Sequence, residues 1–333
     1  MKVAVFSTQP YDKEYFERFK PKALEFAYFK TGLHAQTANL SEGYQAVCVF
    51  VNDQIDRRTI RRMQHYGVQL IALRCAGFNN VDLTAAEEAG IKVVRVPAYS
   101  PEAIAEHTLA LILTLNRKTH KAYNRVREGN FSLNRLIGFN LSGKTVGVIG
   151  TGKIGQAFCQ LLTGFGCSIL AYDPYPNEAV TQLGASYTSL QELFAQSDLI
   201  SLHCPLTDNT RHIINAEAIG QMKKGVMLIN TSRGALIDTA DVIEGLTQEK
   251  IGYLGIDVYE QEENLFFQDL SESIIQDDYI LRLNSFPNVL ITAHQAYFTK
   301  EAMEQITATT IENILNFTEG KILKNQVKPQ AMK

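Results

Sequence analysis

An arginine, a glutamate and a histidine stand after separate apolar runs in the second half of this 333-residue chain. They are Arg233, Glu262 and His294, and each run is predicted to be a strand, the three runs being 225–230, 252–258 and 288–292. A guanidinium fork can hold a carboxylate, an imidazole can transfer a proton, and a neighbouring carboxylate favours the charged imidazole. Because parallel strands end at one edge of a sheet, we expect these side chains to meet there. A histidine after a strand is also often purely structural, so position alone leaves both interpretations of His294 open.

A glycine-rich turn lies near the middle of the chain. The apolar run 144–149 leads into Gly150-Thr151-Gly152-Lys153-Ile154-Gly155, and Asp173 ends the next run, 168–172. The first glycine permits a tight turn, the second lets a pyrophosphate approach the backbone, and the third lets a helix pack on the strand. A carboxylate at Asp173 accepts hydrogen bonds from a ribose 2′-OH and repels a 2′-phosphate. The pattern therefore predicts a site for NAD rather than NADP.

Together, these two features match hydride transfer to a 2-keto acid. Besides NADH, that reaction needs a cation for the carboxylate, a proton donor for the ketone oxygen and a group that keeps the donor charged. Arg233, His294 and Glu262 are the candidates for these roles. We also predict cofactor contacts from other strand-end residues, which are His203, Cys204, Pro205, Thr231, Ser232 and Asp257. For the segment 203–205, simply ending a strand is the alternative interpretation.

A further candidate binding segment, residues 74–80, ends a strand in the N-terminal part of the chain. A turn at Gly77 would leave backbone N–H groups available to an anion, although a tight turn alone explains this glycine equally well. The histidines and cysteines show no metal-ligand spacing, so we predict no metal. The five cysteines form no C-x-x-C pair and are expected to be reduced thiols, mostly buried.

Short apolar runs alternate with helical patterns along the chain, which is typical of parallel sheets built from βαβ units. One series holds four predicted strands before residue 97, and a second holds six strands from Thr145 onward. We therefore predict an α/β fold with two doubly wound parallel-sheet domains. The last helical pattern, 299–317, is predicted to return to the first domain. Ligand is then expected in the cleft between the domains.

A long helix is predicted between the two series, from Ser100-Pro101-Glu102 to about Lys121. Its apolar residues surround the helix axis instead of forming one stripe, which indicates burial on several sides. A contact between subunits and a core position between domains both account for this pattern.

Charge and composition disfavour several kinds of partner. The net charge of −3 and the pI near 6.2 disfavour nucleic acid and anionic membranes, which select basic surfaces. No apolar run approaches the roughly 18 residues of a membrane-spanning helix, and the N-terminus is predicted to be a strand rather than a signal peptide. We therefore expect a cytoplasmic protein that acts on a small molecule.

Several of these motifs together resemble the D-isomer-specific 2-hydroxyacid dehydrogenase family, the matching segments being 73–82, 94–102, 150–155, 201–205 and 230–238. The resemblance implies a Rossmann NAD domain, residues 101–298, inserted in a flavodoxin-like substrate domain, residues 1–100 and 299–333. It also implies which residues are catalytic, namely Arg233, Glu262 and His294.

The same resemblance implies NADH-dependent, reversible reduction of a small 2-keto acid to the D-hydroxy acid, with pyruvate as the first candidate. The implied substrate-binding residues are Arg74, Ala76, Gly77, Phe78, Tyr99 and Tyr297. Ala76 and Gly77 would act through backbone donors, and the three aromatic residues would bound a small pocket. The helix 101–121 would form the core of a homodimer, with a tetramer also open. A larger 2-keto acid (phenylpyruvate, hydroxypyruvate or 2-ketoisocaproate) and a non-enzymatic NADH-sensing corepressor remain the alternative functions.

Overall fold

The computed structural model describes residues 1–329, which divide into two compact units. One unit holds Met1–Ser100 together with the segment from Phe298 onward, and the other holds Pro101–Tyr297. The predicted substrate domain extends to residue 333, and its last four residues, 330–333, lie outside the described part.

The first unit begins with five strands that pair in parallel. Their bounds are β1 (Lys2–Val5), β2 (Glu25–Tyr28), β3 (Ala46–Val49), β4 (Leu70–Leu73) and β5 (Lys92–Val94). The helices between them are α1 (Pro10–Phe19), α2 (Arg57–His65) and α3 (Leu83–Glu88). Every residue of β3 and β4 is buried, which explains why both segments are continuous apolar runs.

The second unit holds one parallel sheet with helices between its strands. The strands are β6 (Thr145–Ile149), β7 (Ser168–Tyr172), β8 (Ser186–Tyr187), β9 (Leu199–Leu202), β10 (Val226–Asn230), β11 (Ile251–Ile256) and β12 (Val289–Ile291). The helices are α4 (Pro101–Arg117), α5 (Thr119–Arg127), α6 (Lys153–Gly164), α7 (Glu178–Gln182), α8 (Leu190–Gln196), α9 (Ala216–Gln221), α10 (Thr239–Thr247) and α11 (Asp278–Ser285). The strand order β12-β11-β10-β9-β6-β7-β8 reverses beside β6, as in doubly wound nucleotide-binding sheets.

The chain then returns to the first unit through α12 (Lys300–Thr318) and β13 (Gln326–Val327). Ile311 and Ile314 of α12 are buried in the same apolar core as Val3 and Val5. The sheet order becomes β13-β5-β4-β3-β1-β2, and β13 pairs with β5 in the antiparallel sense. The predicted α/β class with two doubly wound sheets is confirmed, and the antiparallel edge strand corrects the expectation that this sheet is parallel throughout.

The helix predicted for 101–121 is shorter in the structure. Helix α4 ends at Arg117 because Lys118 adopts a left-handed conformation with φ of 51°, and α5 begins directly afterwards. Helix α4 packs on α6 and on β10, β11 and β12, all of which belong to its own unit.

Three strands were not predicted, namely β2, β8 and β13. β8 and β13 contain only two residues each, and β2 is only partly buried, so none gives a clear apolar run. Short 3₁₀ helices occur at Ala38–Ser41, Gly234–Leu236 and Glu262–Asn264. Within residues 1–329, no helix is long and apolar enough to cross a membrane, and no three His, Cys, Asp or Glu side chains are grouped as a metal site would require.

Candidate active site

Arg233, Glu262 and His294 all follow strands that are neighbours in the second sheet. Arg233 lies three residues after β10, Glu262 six residues after β11, and His294 three residues after β12. Since β10, β11 and β12 are adjacent and parallel, their carboxyl ends lie at the same sheet edge. The fold of this unit therefore brings the three loops to one edge, which is where ligands bind in open α/β sheets.

His294 and Glu262 form a close pair. Nδ1 of His294 lies 2.8 Å from Oε1 of Glu262, and the two side chains are only 16% and 21% exposed. The other carboxylate oxygen of Glu262 accepts a hydrogen bond of 2.9 Å from the backbone N–H of Tyr259, which orients the carboxylate. With Nδ1 donating to Glu262, Nε2 of His294 has no hydrogen-bond partner in residues 1–329 and is available to a ligand.

The loop that carries His294 is held in place by hydrogen bonds to Asp257. The N–H of His294, a residue with φ of 52°, donates to the carbonyl oxygen of Asp257 at 2.7 Å. The carboxylate of Asp257 accepts hydrogen bonds from Thr292 Oγ1 at 2.5 Å and from the N–H groups of Gln295 and Ala296 at 2.9 and 2.8 Å. These bonds fix the conformation of the loop, and with it the position of the imidazole.

Asp257 was predicted to contact the cofactor, but it is 1% exposed and its carboxylate is engaged by the protein. Burial raises the pKa of this carboxyl, yet hydrogen bonds from His107, Thr292 and the backbone outweigh burial and leave the pKa below its usual value. Nε2 of His107 lies 3.0 Å from Thr292 Oγ1 and 3.4 Å from Asp257. Sequence reasoning missed His107, since nothing in the pattern of α4 connects it to Thr292, 185 residues away.

The turn that carries Arg233 is held by buried side chains. The side chain of Asn230 donates to the carbonyl of Arg233 at 2.8 Å and accepts from the N–H of Ser232 at 3.0 Å. Gly234 packs so closely on Tyr259 that a Cβ would lie 2.1 Å from its carbonyl carbon, so only glycine fits there. The loop geometry is thus fixed independently of the Arg233 side chain, whose Nη1 donates only to the carbonyl of Ser232 within residues 1–329.

The predicted dinucleotide loop joins β6 to α6. Gly150 has φ of 95°, and Gly152 is the N-cap of α6. A Cβ on Gly152 would meet nothing within 4 Å, so space remains beside this backbone for a phosphate group. Asp173 follows β7, and its two carboxylate oxygens accept from the N–H groups of Thr151 and Tyr175 at 2.7 and 2.9 Å. These residues fit an NAD dinucleotide, and Asp173 additionally shapes the glycine loop.

The second and third glycines of this loop allow a matched test. On Gly155, a Cβ would lie 2.0 Å from the carbonyl oxygen of Gly150, so Gly155→Ala is expected to lower the free energy of unfolding by about 1–3 kcal/mol through overpacking. Gly152→Ala should unfold like the wild type and yet bind NADH at least about tenfold more weakly, because the methyl group occupies the space for phosphate. Thermal melting and NADH fluorescence titration check both variants. Wild-type NADH affinity in Gly152→Ala would contradict the placement of the phosphates.

His203, predicted to contact the cofactor, has its ring 5.0 Å from that of Phe158, and its Nε2 lies 2.9 Å from Ser201 Oγ. Burial lowers the pKa of His203 to about 3, so this imidazole is neutral and cannot serve as the acid. Cys204 is buried, and Pro205 is exposed. Thr231 is 7% exposed, and its hydroxyl lies 2.9 Å from that of Thr108.

The predicted substrate-binding residues belong to the first unit, except Tyr297, which is 7% exposed in the second. Ala76, Gly77, Phe78 and Tyr99 are partly exposed. Arg74, in contrast, is 2% exposed, and its Nη2 donates to the carbonyl of Ser7 at 2.8 Å. The Arg74 side chain is therefore directed into the interior of its unit, where Asp12 lies 3.4 Å from Nη2, and the substrate-binding role implied for this residue stays a prediction.

Comparison with known proteins identifies the family. Residues 109–296 match the model of the D-isomer specific 2-hydroxyacid dehydrogenase, NAD binding domain. The chain is 54% identical to a 2-hydroxyacid dehydrogenase homolog of Haemophilus influenzae, covering 99% of this chain and all of that protein. It is 52% identical to the D-lactate dehydrogenase of Escherichia coli, covering 98% and 100%. D-Lactate dehydrogenase from Aquifex aeolicus, complexed with NAD and lactic acid, superposes with a TM-score of 0.88 at 36% identity, covering 99% of this chain and all of that one. The chain therefore belongs to the D-isomer-specific 2-hydroxyacid dehydrogenase family and is an NAD-dependent oxidoreductase.

Proposed function

We propose that this protein reduces pyruvate to D-lactate with NADH, and catalyses the reverse reaction, with His294 as the acid and base. The observation that carries the proposal is the hydrogen bond of 2.8 Å between His294 and Glu262. Both residues lie on loops that follow adjacent strands, β12 and β11, and β11 is in turn adjacent to β10, the strand before Arg233. The D-lactate dehydrogenases among the relatives support the choice of substrate and stereochemistry.

In this mechanism, Arg233 binds the carboxylate of pyruvate through its guanidinium fork and so orients the keto group. NADH supplies a hydride to the keto carbon, and the pair of electrons of the C=O bond moves to oxygen. His294 delivers its Nε2 proton to that oxygen, so the products are D-lactate and NAD⁺. Glu262 holds Nδ1 of His294 throughout, which keeps Nε2 directed at the substrate.

A panel of 2-keto acids assayed with NADH tests this function. We expect the highest kcat/KM for pyruvate and D-lactate as the only enantiomer formed. Preference for phenylpyruvate, hydroxypyruvate or 2-ketoisocaproate would replace the substrate while keeping the chemistry. If the protein bound NADH but oxidised it with none of these acids, the role of an NADH sensor would be favoured instead.

We expect Asp173→Asn to relax the preference for NAD. Asparagine keeps an oxygen that can accept from Thr151 N–H, and it removes the negative charge that would repel a 2′-phosphate. The ratio of kcat/KM for NADPH to that for NADH should rise at least about tenfold. An unchanged ratio in steady-state assays with both coenzymes would contradict the assignment of Asp173.

The protein is further proposed to be a cytoplasmic homodimer. Helix α4, the predicted contact, packs on α6 and three strands of its own unit, whereas the segment after it exposes apolar side chains. These residues are Tyr123, Val126, Phe131, Leu133 and Ile137. Exposed apolar side chains grouped in one segment are typical of a contact with another chain, and the family resemblance favours a second copy. Sedimentation velocity distinguishes monomer, dimer and tetramer, and cell fractionation tests the location.

A further inference from the structure

Among the described residues, the backbone carbonyls of the loop after β4 are hydrogen-bonded within the protein and several of its backbone N–H groups are not. The carbonyls of four successive residues accept from protein donors: Cys75 from Val96 N–H, Ala76 from Arg95, Gly77 from the thiol of Cys75, and Phe78 from Val81 N–H. In residues 1–329, the N–H groups of Ala76, Gly77 and Phe78 donate to no protein acceptor. A partly exposed loop with its carbonyls occupied and consecutive N–H groups available is suited to an anion such as a carboxylate.

Arg95 contacts this loop at two points. Its Nη1 donates to the carbonyl of Ala76 at 2.7 Å, and its guanidinium carbon lies 5.0 Å from the centre of the Phe78 ring. A planar guanidinium group can make both contacts at once, because its N–H groups donate hydrogen bonds in its plane and its face stacks on an aromatic ring. The loop and the aromatic side chain are therefore held by one residue.

The backbone of Arg95 is itself fixed. Its N–H donates to the carbonyl of Asn325 at 3.1 Å, and its carbonyl accepts from the side chain of Asn313 at 2.9 Å. Asn313 lies on α12 and is 3% exposed. The segment that returns from the C-terminal part of the chain thus anchors the arginine that holds the loop.

We propose that Arg95 is a positioning residue that sets both the affinity for the substrate carboxylate and the size of acid that is accepted. By holding the Ala76 carbonyl it orients the neighbouring N–H groups, and by holding the Phe78 ring it fixes a wall of the pocket. The proposal rests on the proposed function and on the role that the family resemblance implies for Ala76 and Gly77, whose N–H groups would bind the carboxylate together with Arg233. Hydrogen bonds to charged groups are worth roughly ten- to hundredfold in an equilibrium constant, which sets the size of the effect.

The test compares Arg95→Met and Arg95→Lys with a control, Arg62→Met. Arg62 also donates Nη1 to a backbone carbonyl at 2.7 Å in the same unit, but to Ala35. For Arg95→Met we expect a KM for pyruvate raised at least about tenfold, an NADH affinity within twofold of the wild type, and a reduced preference for pyruvate over 2-ketoisocaproate. Arg95→Lys should recover part of the affinity, since an ammonium can replace one contact but not both. Arg62→Met should match the wild type in all three measurements.

Wild-type turnover is measured first, so that failure of the function is recognised before the variants are compared. A wild type that acts on no 2-keto acid overturns the function and this proposal with it. An active wild type whose Arg95 variants keep the native KM and the native preference overturns this proposal alone. If thermal melting shows that Arg95→Met is unfolded, the kinetics of Arg95→Lys are used instead, because this variant keeps the positive charge. A native KM and a native preference in Arg95→Lys would then overturn the proposal, since they would show that the guanidinium is not needed. A purely structural role would lower the melting temperature without changing the preference between acids.

Discussion

Replacing His294 by asparagine is expected to lower the turnover number for pyruvate at least a hundredfold while leaving NADH binding within about twofold. A positioned acid contributes roughly 10²- to 10⁴-fold to a proton transfer, and asparagine cannot replace it. Asparagine also tolerates the left-handed backbone at this position, so the loop should keep its conformation. Stopped-flow measurement of NADH oxidation gives the turnover, and fluorescence titration gives the coenzyme affinity.

His212→Asn is the matched control for this experiment. His212 lies in the same unit, has φ of 51°, and places Nε2 at 2.7 Å from Glu260 Oε1, so it resembles His294 in backbone and in partner. It has no role in the proposed mechanism, and the variant should turn over pyruvate like the wild type. If His294→Asn retained a tenth or more of the native turnover, another group would have to be the acid.

Arg233→Gln is expected to lower kcat/KM for pyruvate at least about thirtyfold. Truncating one partner of a hydrogen-bonded charge pair costs about 2–5 kcal/mol, and each 1.4 kcal/mol is tenfold. The turn itself should persist, because Asn230 holds it from both sides. Arg233→Lys should restore only part of the loss, since an ammonium lacks the fork that orients a carboxylate.

Arg211→Gln serves as the control for the charge removed. Arg211 is 57% exposed and lies 3.5 Å from Glu260 in the same unit, so its loss changes the net charge equally without reaching the proposed substrate. Steady-state kinetics on pyruvate check both variants. A kcat/KM for Arg233→Gln within threefold of the wild type would remove Arg233 from the mechanism.

The sequence was informative wherever a buried strand was followed by a polar residue. Continuous apolar runs identified β6, β7, β9, β10, β11 and β12, and the parallel arrangement implied that their carboxyl ends share an edge. Arg233, Glu262 and His294 could therefore be selected without coordinates. Each of the three residues lies a few positions after a strand, and the hydrophobic pattern locates the strands.

Side-chain direction and long-range partners were beyond the sequence. The sequence places Arg74 beside a glycine turn, which suggested a ligand contact, yet its guanidinium is buried against Ser7 and Asp12. Asp257 looks like any strand-end acid, although its carboxylate organises a loop nearly 40 residues later. The end of helix α4 at Lys118 is not marked by a glycine or a proline in the sequence. Each of these depends on packing between distant segments, which local patterns do not encode.

The order of strands in the second sheet also sets the distance between the two predicted ends of the coenzyme site. Three strand spacings, together about 14 Å, separate β7, which precedes Asp173, from β10, which precedes Arg233. In the proposed function, the coenzyme spans that interval, with its ribose at Asp173 and its reacting end near Arg233. Each half of the dinucleotide supplied as a separate molecule should therefore bind weakly, and the covalent tether should restore affinity by raising the effective concentration of the second half at its own strand.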